Sequence, residues 1–360
     1  MARFHDLTIT DIRPETDDAI SVAFRVPDDL ADAYTFDAGQ HLTLRADIDG
    51  EDVRRCYSIC SGVNDGELRV AIKRVPDGAF SAYAHKNLHV GDSLQVMTPT
   101  GKFRAHPDVS SARTYAAFAA GSGITPVISI MATVLDAEPD SRFFLFYGNR
   151  STGSVIFRDQ IDDLKNRHMG RLSVFHILSN EDQDSVLLNG RIDGDKVPDL
   201  MAAACPASDV DGVFVCGPGS MIPDVTGALK ALGVADDRVH FELFATDEGQ
   251  GLAPPRKSAA KVEAKGDQAR VTVVVDGVKS EFAVSLNDGT ILDSAVSEGI
   301  DLPYSCKGGM CTSCRAKLVE GKVDMAVNYG LEPWELEAGF VLTCQSRPLT
   351  DKVVLDFDEM

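Results

Sequence analysis

The sequence has no uncharged apolar stretch close to the roughly 18 residues that a membrane-spanning helix needs. Its opening residues, MARFHDLTIT, contain no basic segment followed by an apolar run, which is the pattern of a secretory signal peptide. Together these absences predict a cytoplasmic protein.

Basic residues are scarce relative to acidic ones, since 35 Lys and Arg stand against 55 Asp and Glu for a net charge of −20 at pH 7. Such a surplus of negative charge disfavours nucleic acids and anionic membranes as partners. The chain also lacks any Glu-x-x-His pair, the spacing with which di-iron helix bundles hold their metal. We therefore expect no oxygen-activating iron in this chain, and we find no Ser/His/Asp nucleophile motif.

Four of the cysteines stand in one pattern. Cys306, Cys311 and Cys314 have the spacing C-x4-C-x2-C, and Cys344 follows further along the chain. This is the ligand spacing of a plant-type [2Fe–2S] cluster, and the pair Gly308-Gly309 lets the loop turn sharply around it. Disulfides fit poorly in a chain without a secretory signal, and structural zinc prefers two C-x2-C units. The pattern therefore favours a cluster that carries one electron at a time.

The composition changes along the chain predict three domains. Residues 1–110 contain short apolar runs separated by turn pairs such as Asp65-Gly66, which is typical of a small antiparallel β-barrel. Residues 111–245 alternate strands with helices, including a helical pattern over Val155–Leu164, and this predicts a doubly wound parallel α/β sheet. Residues 246–267 read as a linker, and residues 268–360 form a third, cluster-bearing α+β domain.

The first candidate binding motif is Arg55-Cys-Tyr57-Ser58 on a predicted strand. An Arg can pair with a phosphate, an aromatic ring can lie against a planar cofactor, and a hydroxyl can bond a ring nitrogen. Further on, Gly78 and Ser81 open a helical stretch whose first amides could bind a phosphate. Each motif alone fits equally well an exposed Arg beside a packed Tyr, or an ordinary helix start.

A second pair of motifs lies in the predicted parallel sheet. Gly121-Ser-Gly123-Ile-Thr125-Pro126 follows a strand and begins a helix, which is the setting of a dinucleotide phosphate loop. Cys216-Gly217 ends another strand of the same sheet, where ligands bind in such folds. The alternatives are a plain glycine turn and a small buried cysteine.

The order of these motifs resembles the ferredoxin–NADP reductase superfamily over residues 1 to about 245. The remainder resembles a plant-type ferredoxin of the β-grasp fold. Fused in this order, the chain is similar to the reductase components of multicomponent oxygenases that degrade aromatic compounds. The resemblance implies FAD, a nicotinamide nucleotide and a [2Fe–2S] cluster as cofactors, and a separate oxygenase component as partner. We keep as alternatives a Rieske dioxygenase or a di-iron hydroxylase as acceptor, and a redox-sensing protein without turnover.

The resemblance also implies roles for individual residues. Ser58 and Cys216 would take part in hydride transfer, beside the flavin and the nicotinamide respectively. Glu242 and Phe244 stand where the family often places residues near the flavin. The cluster ligands would be Cys306, Cys311, Cys314 and Cys344. The remaining cofactor-binding residues would be Arg55, Tyr57, Gly78, Ser81, Gly121, Gly123, Thr125, Pro126, Arg150, Gly217 and Phe244. Arg150 would face the adenosine end, with an exposed loop charge as the alternative reading. The family that the chain resembles uses NADPH, so NADPH is the expected donor, with NADH possible.

Overall fold

The computed structural model describes residues 3–244, 267–286 and 289–359. The chain divides into two compact units, of which the larger contains most of the first eleven strands and the smaller the last seven. The predicted linker, 246–267, lies outside the described residues apart from Asp267. The predicted domain boundaries therefore stay predictions.

The first sheet is an antiparallel barrel of six strands in the order β4-β3-β6-β1-β2-β5. An antiparallel bridge between Ile59 and Val70 joins the end of β4 to β5 and closes it. Alternating apolar side chains fill the interior, as a closed barrel requires. The strands are β1 Phe4–Thr16, β2 Ala19–Arg25, β3 His41–Ile48, β4 Glu51–Ser58, β5 Leu68–Lys73 and β6 Ser93–Met97, and the helix that follows β5 is α1 Ala79–Asn87.

The second sheet is parallel, with five strands in the order β11-β10-β7-β8-β9. Strands β8 and β9 follow on one side of β7, and β10 and β11 lie on its other side. The topological switch point of the sheet is therefore between β7 and β10. This confirms the predicted doubly wound fold. The strands are β7 Thr114–Ala120, β8 Arg142–Asn149, β9 Leu172–Leu178, β10 Gly212–Gly217 and β11 Val239–Leu243, and the helices are α2 Ile124–Ala137, α3 Arg158–Arg167, α4 Lys196–Ala204 and α5 Met221–Ala231.

Two helices of this domain differ from the sequence prediction. The predicted helix Val155–Leu164 begins only at Arg158, because Phe157 adopts a left-handed backbone conformation with φ 62° that ends the preceding turn. The helix α4 has no counterpart in the prediction. It contains Pro198 in its first turn, where a missing N–H costs nothing, although proline in a sequence suggests a loop.

The smaller unit is a mixed sheet of five strands in the order β13-β12-β18-β14-β16, with a separate pair β15-β17. Strands β12 and β18 run parallel, while their neighbours run antiparallel, and one face is covered by a short helix capped by the Thr290 side chain. This agrees with the expected β-grasp fold. The elements are β12 Gln268–Val275, β13 Val278–Ser285, α6 Ile291–Ser297, β14 Arg315–Glu320, β15 Val323–Met325, α7 Pro333–Glu337, β16 Phe340–Leu342, β17 Ser346–Pro348 and β18 Lys352–Asp356.

Candidate cofactor sites

The loop from Cys306 to Cys314 wraps tightly, with left-handed φ angles of 49° at Lys307, 77° at Gly309 and 55° at Thr312. These turns direct backbone amides inward. The N–H groups of Gly308 and Cys311 donate to the Cys306 sulfur, at 3.3 and 3.4 Å. Amides aimed at a ligand sulfur are the usual outer support of an iron–sulfur cluster.

The four predicted ligands form two neighbouring pairs. Cys306 lies within hydrogen-bonding reach of Cys311, and Cys314 within reach of Cys344. Within the described ranges, no three His, Cys, Asp or Glu side chains converge as the ligands of one metal ion. Two cysteine pairs fit a cluster of two irons, in which each iron takes two protein thiolates.

The thiols of these pairs influence each other's proton affinity. The adjacent Cys311 side chain, together with burial, raises the pKa of Cys306 well above its ordinary value. In the second pair, the hydrogen bond from Cys314 lowers the pKa of Cys344, while that of Cys314 is raised. Since iron ligands must be thiolates, binding of the irons releases these protons.

A second segment holds the cluster loop from outside. The Tyr329 N–H donates to the Gly309 carbonyl at 3.0 Å, and a Cβ at Gly330 would lie 2.3 Å from the Met310 carbonyl oxygen. The Gln345 side chain, next to Cys344, donates to the Lys307 carbonyl at 2.7 Å. These backbone contacts fix the loop relative to the fourth cysteine.

In the barrel, the predicted flavin motif lies at the end of β4. The Tyr57 ring is half-buried and packs on Phe80 of α1, with ring centroids 5.6 Å apart. Ser58 is buried and points to the opposite side, as strand alternation requires. Arg55 is half-buried, and its guanidinium donates to the Arg54 carbonyl at 2.9 Å.

The predicted phosphate element at α1 is a tight turn. A Cβ on Gly78 would lie 2.7 Å from the Ser81 hydroxyl oxygen and 3.1 Å from Val75 Cβ, so only glycine fits. The Ser81 hydroxyl is buried, accepts from the Val75 N–H and donates to the Gly78 carbonyl. Ser81 therefore shapes the turn at the start of α1, where the first backbone amides have no partner within the helix.

The Gly121–Gly123 turn connects β7 to α2 at the switch point of the parallel sheet. Gly121 has a φ of 53°, and a Cβ on Gly123 would lie 2.1 Å from the Cys216 carbonyl oxygen. Thr125 donates to the Ser122 carbonyl at 3.0 Å, and it is buried together with Pro126. The glycines therefore let the loop pack directly on the end of β10.

A cluster of polar side chains connects the barrel to the parallel sheet. The Ser58 hydroxyl donates to Glu242 Oε2 at 3.2 Å, and His41 Nδ1 lies 3.9 Å from Glu242 Oε1. Glu242 pairs in register with Cys216, whose thiol is buried and whose pKa is raised, first by burial and then by the Glu242 charge. The structure thus brings together the two predicted catalytic residues around one carboxyl group.

Burial dominates the chemistry of that carboxyl group. It raises the pKa of Glu242 to about 7, against smaller opposing effects from His41 and the Ser58 hydrogen bond. A group that titrates at such a pH can give or accept a proton during turnover.

The remaining predicted residues are not among the polar side chains of this cluster. Arg150, at the end of β8, is 66% exposed and its guanidinium lies 3.3 Å from Asp18 Oδ2. Phe244, directly after β11, packs against the core between the barrel and the sheet. A Cβ at Gly217 would lie 2.6 Å from the end of the Met221 side chain and 3.2 Å from the Ala120 backbone nitrogen, so Gly217 is closely packed.

Sequence reasoning missed His41. It placed Glu242 near the flavin only through the family resemblance, without giving this residue a chemical role. The signal for Glu242 was a lone carboxylate in the strand VHFEL, where alternation places His240, Glu242 and Phe244 on one face. His41 gave no signal, since a single histidine at the start of a strand is common. Its partner is distant in sequence, and only the fold brings the two together.

Three domain families match the chain in the same order as the three sheets. They are an oxidoreductase FAD-binding domain over residues 6–105, an oxidoreductase NAD-binding domain over 118–227 and a 2Fe-2S iron-sulfur cluster binding domain over 273–349. The protein is therefore an NAD(P)H oxidoreductase that uses FAD and a [2Fe–2S] cluster.

Two relatives that match nearly the whole chain narrow this class. The chain is 46% identical to one of the subunits of 1,2-phenylacetyl-CoA epoxidase from Escherichia coli, over 99% of both chains. It is 35% identical to the ferredoxin reductase component of 3-ketosteroid-9-alpha-monooxygenase from Rhodococcus rhodochrous, over 98% of this chain and 96% of the relative. The chain belongs to this family of oxygenase reductase components.

Solved structures agree with the fold. Phthalate dioxygenase reductase, described as a modular structure for electron transfer from pyridine nucleotides to [2Fe–2S], matches with a TM-score of 0.57 at 23% identity over 98% of each chain. An intact self-sufficient cytochrome P450 monooxygenase matches with a TM-score of 0.66 at 25% identity, and this chain spans 41% of its length. None of the helices in the described parts of the chain is long and apolar enough to cross a membrane.

Proposed function

We propose that the chain is the reductase component of a phenylacetyl-CoA epoxidase and delivers electrons to a separate di-iron oxygenase in the catabolism of phenylacetate. The single observation that carries this proposal is the 46% identity to the Escherichia coli epoxidase component over nearly the whole of both chains. Stretches such as YGNR, GRIDG and NYGLEPWELEAGFVLTCQ, spread over the chain, carry the same resemblance in the sequence. The acidic composition and the cytoplasmic location predicted from the sequence agree with this role.

When bound, the cofactors would supply the electron chemistry, which is hydride transfer between nicotinamide and flavin and one-electron transfer to the cluster. The chain's residues bind and orient these groups. In our proposal, the cysteines 306, 311, 314 and 344 hold the cluster, and the amides of Gly308 and Cys311 support it.

For FAD, we propose that Arg55 pairs with the pyrophosphate and that Tyr57 lies along the flavin. The start of α1 offers backbone amides to the same phosphates, in a turn that Gly78 and Ser81 hold in shape. An anion at a helix start is stabilised by the helix dipole as well as by these amides.

For the nicotinamide nucleotide, we propose that the turn from Gly121 to Pro126 and the adjoining Gly217 form the binding edge at the switch point. Ser58 would then adjoin the flavin and Cys216 the nicotinamide, and Glu242 adjoins both residues. Burial of Cys216 keeps the thiol neutral, so that it packs against a ring without acting as a base.

We further propose NADPH as the donor, with Arg150 as a partner of the 2′-phosphate. Its guanidinium is largely exposed at the end of a central strand, and its Asp18 partner is also partly exposed, so a phosphate can replace that carboxylate. The Arg150→Ala variant should raise the KM for NADPH about tenfold and leave the KM for NADH unchanged. Arg142, exposed at the opposite end of β8, provides the matched control Arg142→Ala. If Arg150→Ala changed the KM for NADPH and the KM for NADH equally, Arg150 would not bind the 2′-phosphate.

The reconstituted reaction tests the proposed function. The purified chain is mixed with the oxygenase components of phenylacetyl-CoA epoxidase, NADPH and phenylacetyl-CoA, and the epoxide is measured by mass spectrometry. We expect product only when the chain is present. If NADPH reduces cytochrome c but no epoxide forms, the oxygenase partner is a different one, such as a Rieske dioxygenase. If neither reaction occurs, the chain is not a turnover reductase.

A further inference from the structure

His41 is a buried histidine whose two ring nitrogens each lie near a polar side chain. Its side chain is 5% exposed, its Nε2 lies 3.2 Å from the Thr100 hydroxyl, and its Nδ1 lies 3.9 Å from Glu242 Oε1. The backbone around it is fixed, because His41 and Thr100 exchange two backbone hydrogen bonds of 2.8 and 3.0 Å. The paired backbone fixes the base of the side chain, and the Thr100 hydroxyl lies beside the far nitrogen of the ring.

The neighbouring glycine provides the space for this ring. Gly101 has a φ of 125°, and a Cβ there would lie 2.9 Å from His41 Nδ1. Any other residue at position 101 would press on the nitrogen that faces Glu242. Because position 101 is a glycine, no side chain there crowds the Nδ1 edge of the imidazole, which faces the Glu242 carboxyl group.

The carboxyl group has few other partners. Glu242 is 15% exposed, and the groups that face it are His41 from β3, Ser58 from β4 and Cys216 from β10. On its own strand, His240 lies two residues earlier on the same face, but its ring stacks on Phe214. Among these titratable groups, His41 is the one that can carry a positive charge next to the carboxylate.

We propose that His41 is a positioning residue for hydride transfer, which holds Glu242 towards Ser58 and stabilises it as a carboxylate. The inference rests on the proposed place of Ser58 beside the flavin. A cation beside a buried carboxylate offsets the loss of hydration that otherwise keeps the carboxyl group protonated. His41, Glu242 and Ser58 then form one coupled set, and the protonation of the pair sets the state of the hydroxyl group that faces the cofactor.

Infrared titration of the oxidised FAD-loaded protein tests this directly. The C=O band of protonated Glu242 is identified by its loss in Glu242→Gln and followed against pH. In His41→Gln, which keeps a hydrogen-bonding side chain but no charge, we expect the midpoint to rise by about one pKa unit or more. His168→Gln, which removes another histidine–carboxylate pair, with Asp136, is the matched control and should leave the midpoint unchanged.

The pH profile of anaerobic flavin reduction by NADPH, followed in a stopped-flow instrument, should shift in the same direction in His41→Gln. An unchanged infrared midpoint in His41→Gln, or a lower one, would overturn the proposal and make His41 a packing residue. The infrared midpoint does not depend on which oxygenase accepts the electrons. Failure of the epoxide assay would therefore leave the proposal for His41 unaffected.

A reciprocal measurement covers the case in which His41→Gln does not bind FAD. In Glu242→Gln, the His41 imidazole should titrate at a lower pH than in the wild type, as histidine NMR resonances of the labelled protein would show. Identical His41 titrations in the two proteins would also overturn the proposal.

Discussion

Glu242 shows how a single residue can acquire chemistry from its surroundings. It lies on an edge strand, but its face of the strand is turned to the barrel, where His240 stacks on Phe214 and Glu242 reaches Ser58. In water a glutamate would be ionised at neutral pH, whereas here burial raises its pKa to about 7. The same burial that makes it useful also costs folding free energy when it ionises.

This cost predicts a pH dependence of stability. The folded-state pKa of Glu242, about 7, lies above the ordinary value of 4.5, so the folded state binds the proton more tightly. Proton binding by Glu242 therefore stabilises the folded state, and this stabilisation is fully present below about pH 4.5 and is lost as the pH rises to about 7. Glu242→Gln should remove this component, up to about 3 kcal/mol between pH 5 and pH 8.

The measurement is chemical unfolding of wild type and Glu242→Gln at a series of pH values. As the pH rises, the free energy of unfolding of the wild type should fall relative to that of Glu242→Gln. A constant difference across this range would show that Glu242 ionises normally in the folded protein.

At the scale of elements, the nucleotide turn depends on contact between two backbones. Gly123 meets the carbonyl group of Cys216, and this oxygen cannot move without displacing β10. Gly123→Ala should therefore destabilise the parallel-sheet domain by about 2 kcal/mol or more and weaken nucleotide binding. Gly227→Ala in α5, where a Cβ meets open space, should be neutral or stabilising. Thermal unfolding measures the stability of the two variants, and NADPH titration measures their nucleotide binding. If the two variants were equally stable, the close contact between Gly123 and the Cys216 carbonyl group would be contradicted.

A buried carboxylate stabilises the opposite end of the same sheet. Glu138 is fully buried, pairs with Arg113 and accepts hydrogen bonds from Tyr115, Ser141 and the Asp108 amide. Burial opposes ionisation, but the hydrogen bonds and Arg113 outweigh it and lower the pKa of Glu138. The network ties the segment before β7 to the end of α2, so it is a structural element rather than a site.

Removing that carboxylate should be costly, because its donors would be left unpaired. We expect Glu138→Ala to lower the free energy of unfolding by about 3 kcal/mol, while Asp140→Ala, two residues away and exposed, should have almost no effect. Urea unfolding gives both values. A loss below about 1 kcal/mol for Glu138→Ala would mean that water satisfies the network instead.

At the scale of the whole molecule, motifs that are local in sequence were predictable. The cysteine spacing, the Gly121–Gly123 turn and the strand carrying Tyr57 each specify their surroundings through neighbouring residues. The contact of Ser58 with Glu242 joins two sheets, and no local pattern encodes it.

The helix α4 was missed because Pro198 is read as a break, although it occupies a position where proline is tolerated. The left-handed Phe157 was missed since a bulky residue rarely adopts that conformation.

We propose that this one chain takes a hydride and passes single electrons to its cluster. An anaerobic titration with NADPH, followed by absorbance, counts the electrons that each chain accepts. We predict three, since FAD stores two and the cluster one, whereas Cys311→Ser should accept two and reduce its flavin at the wild-type rate. Cys205→Ser, which changes a buried cysteine of the parallel-sheet domain, should still accept three. Uptake of only two electrons by the wild type, or loss of flavin reduction in Cys311→Ser, would contradict the account.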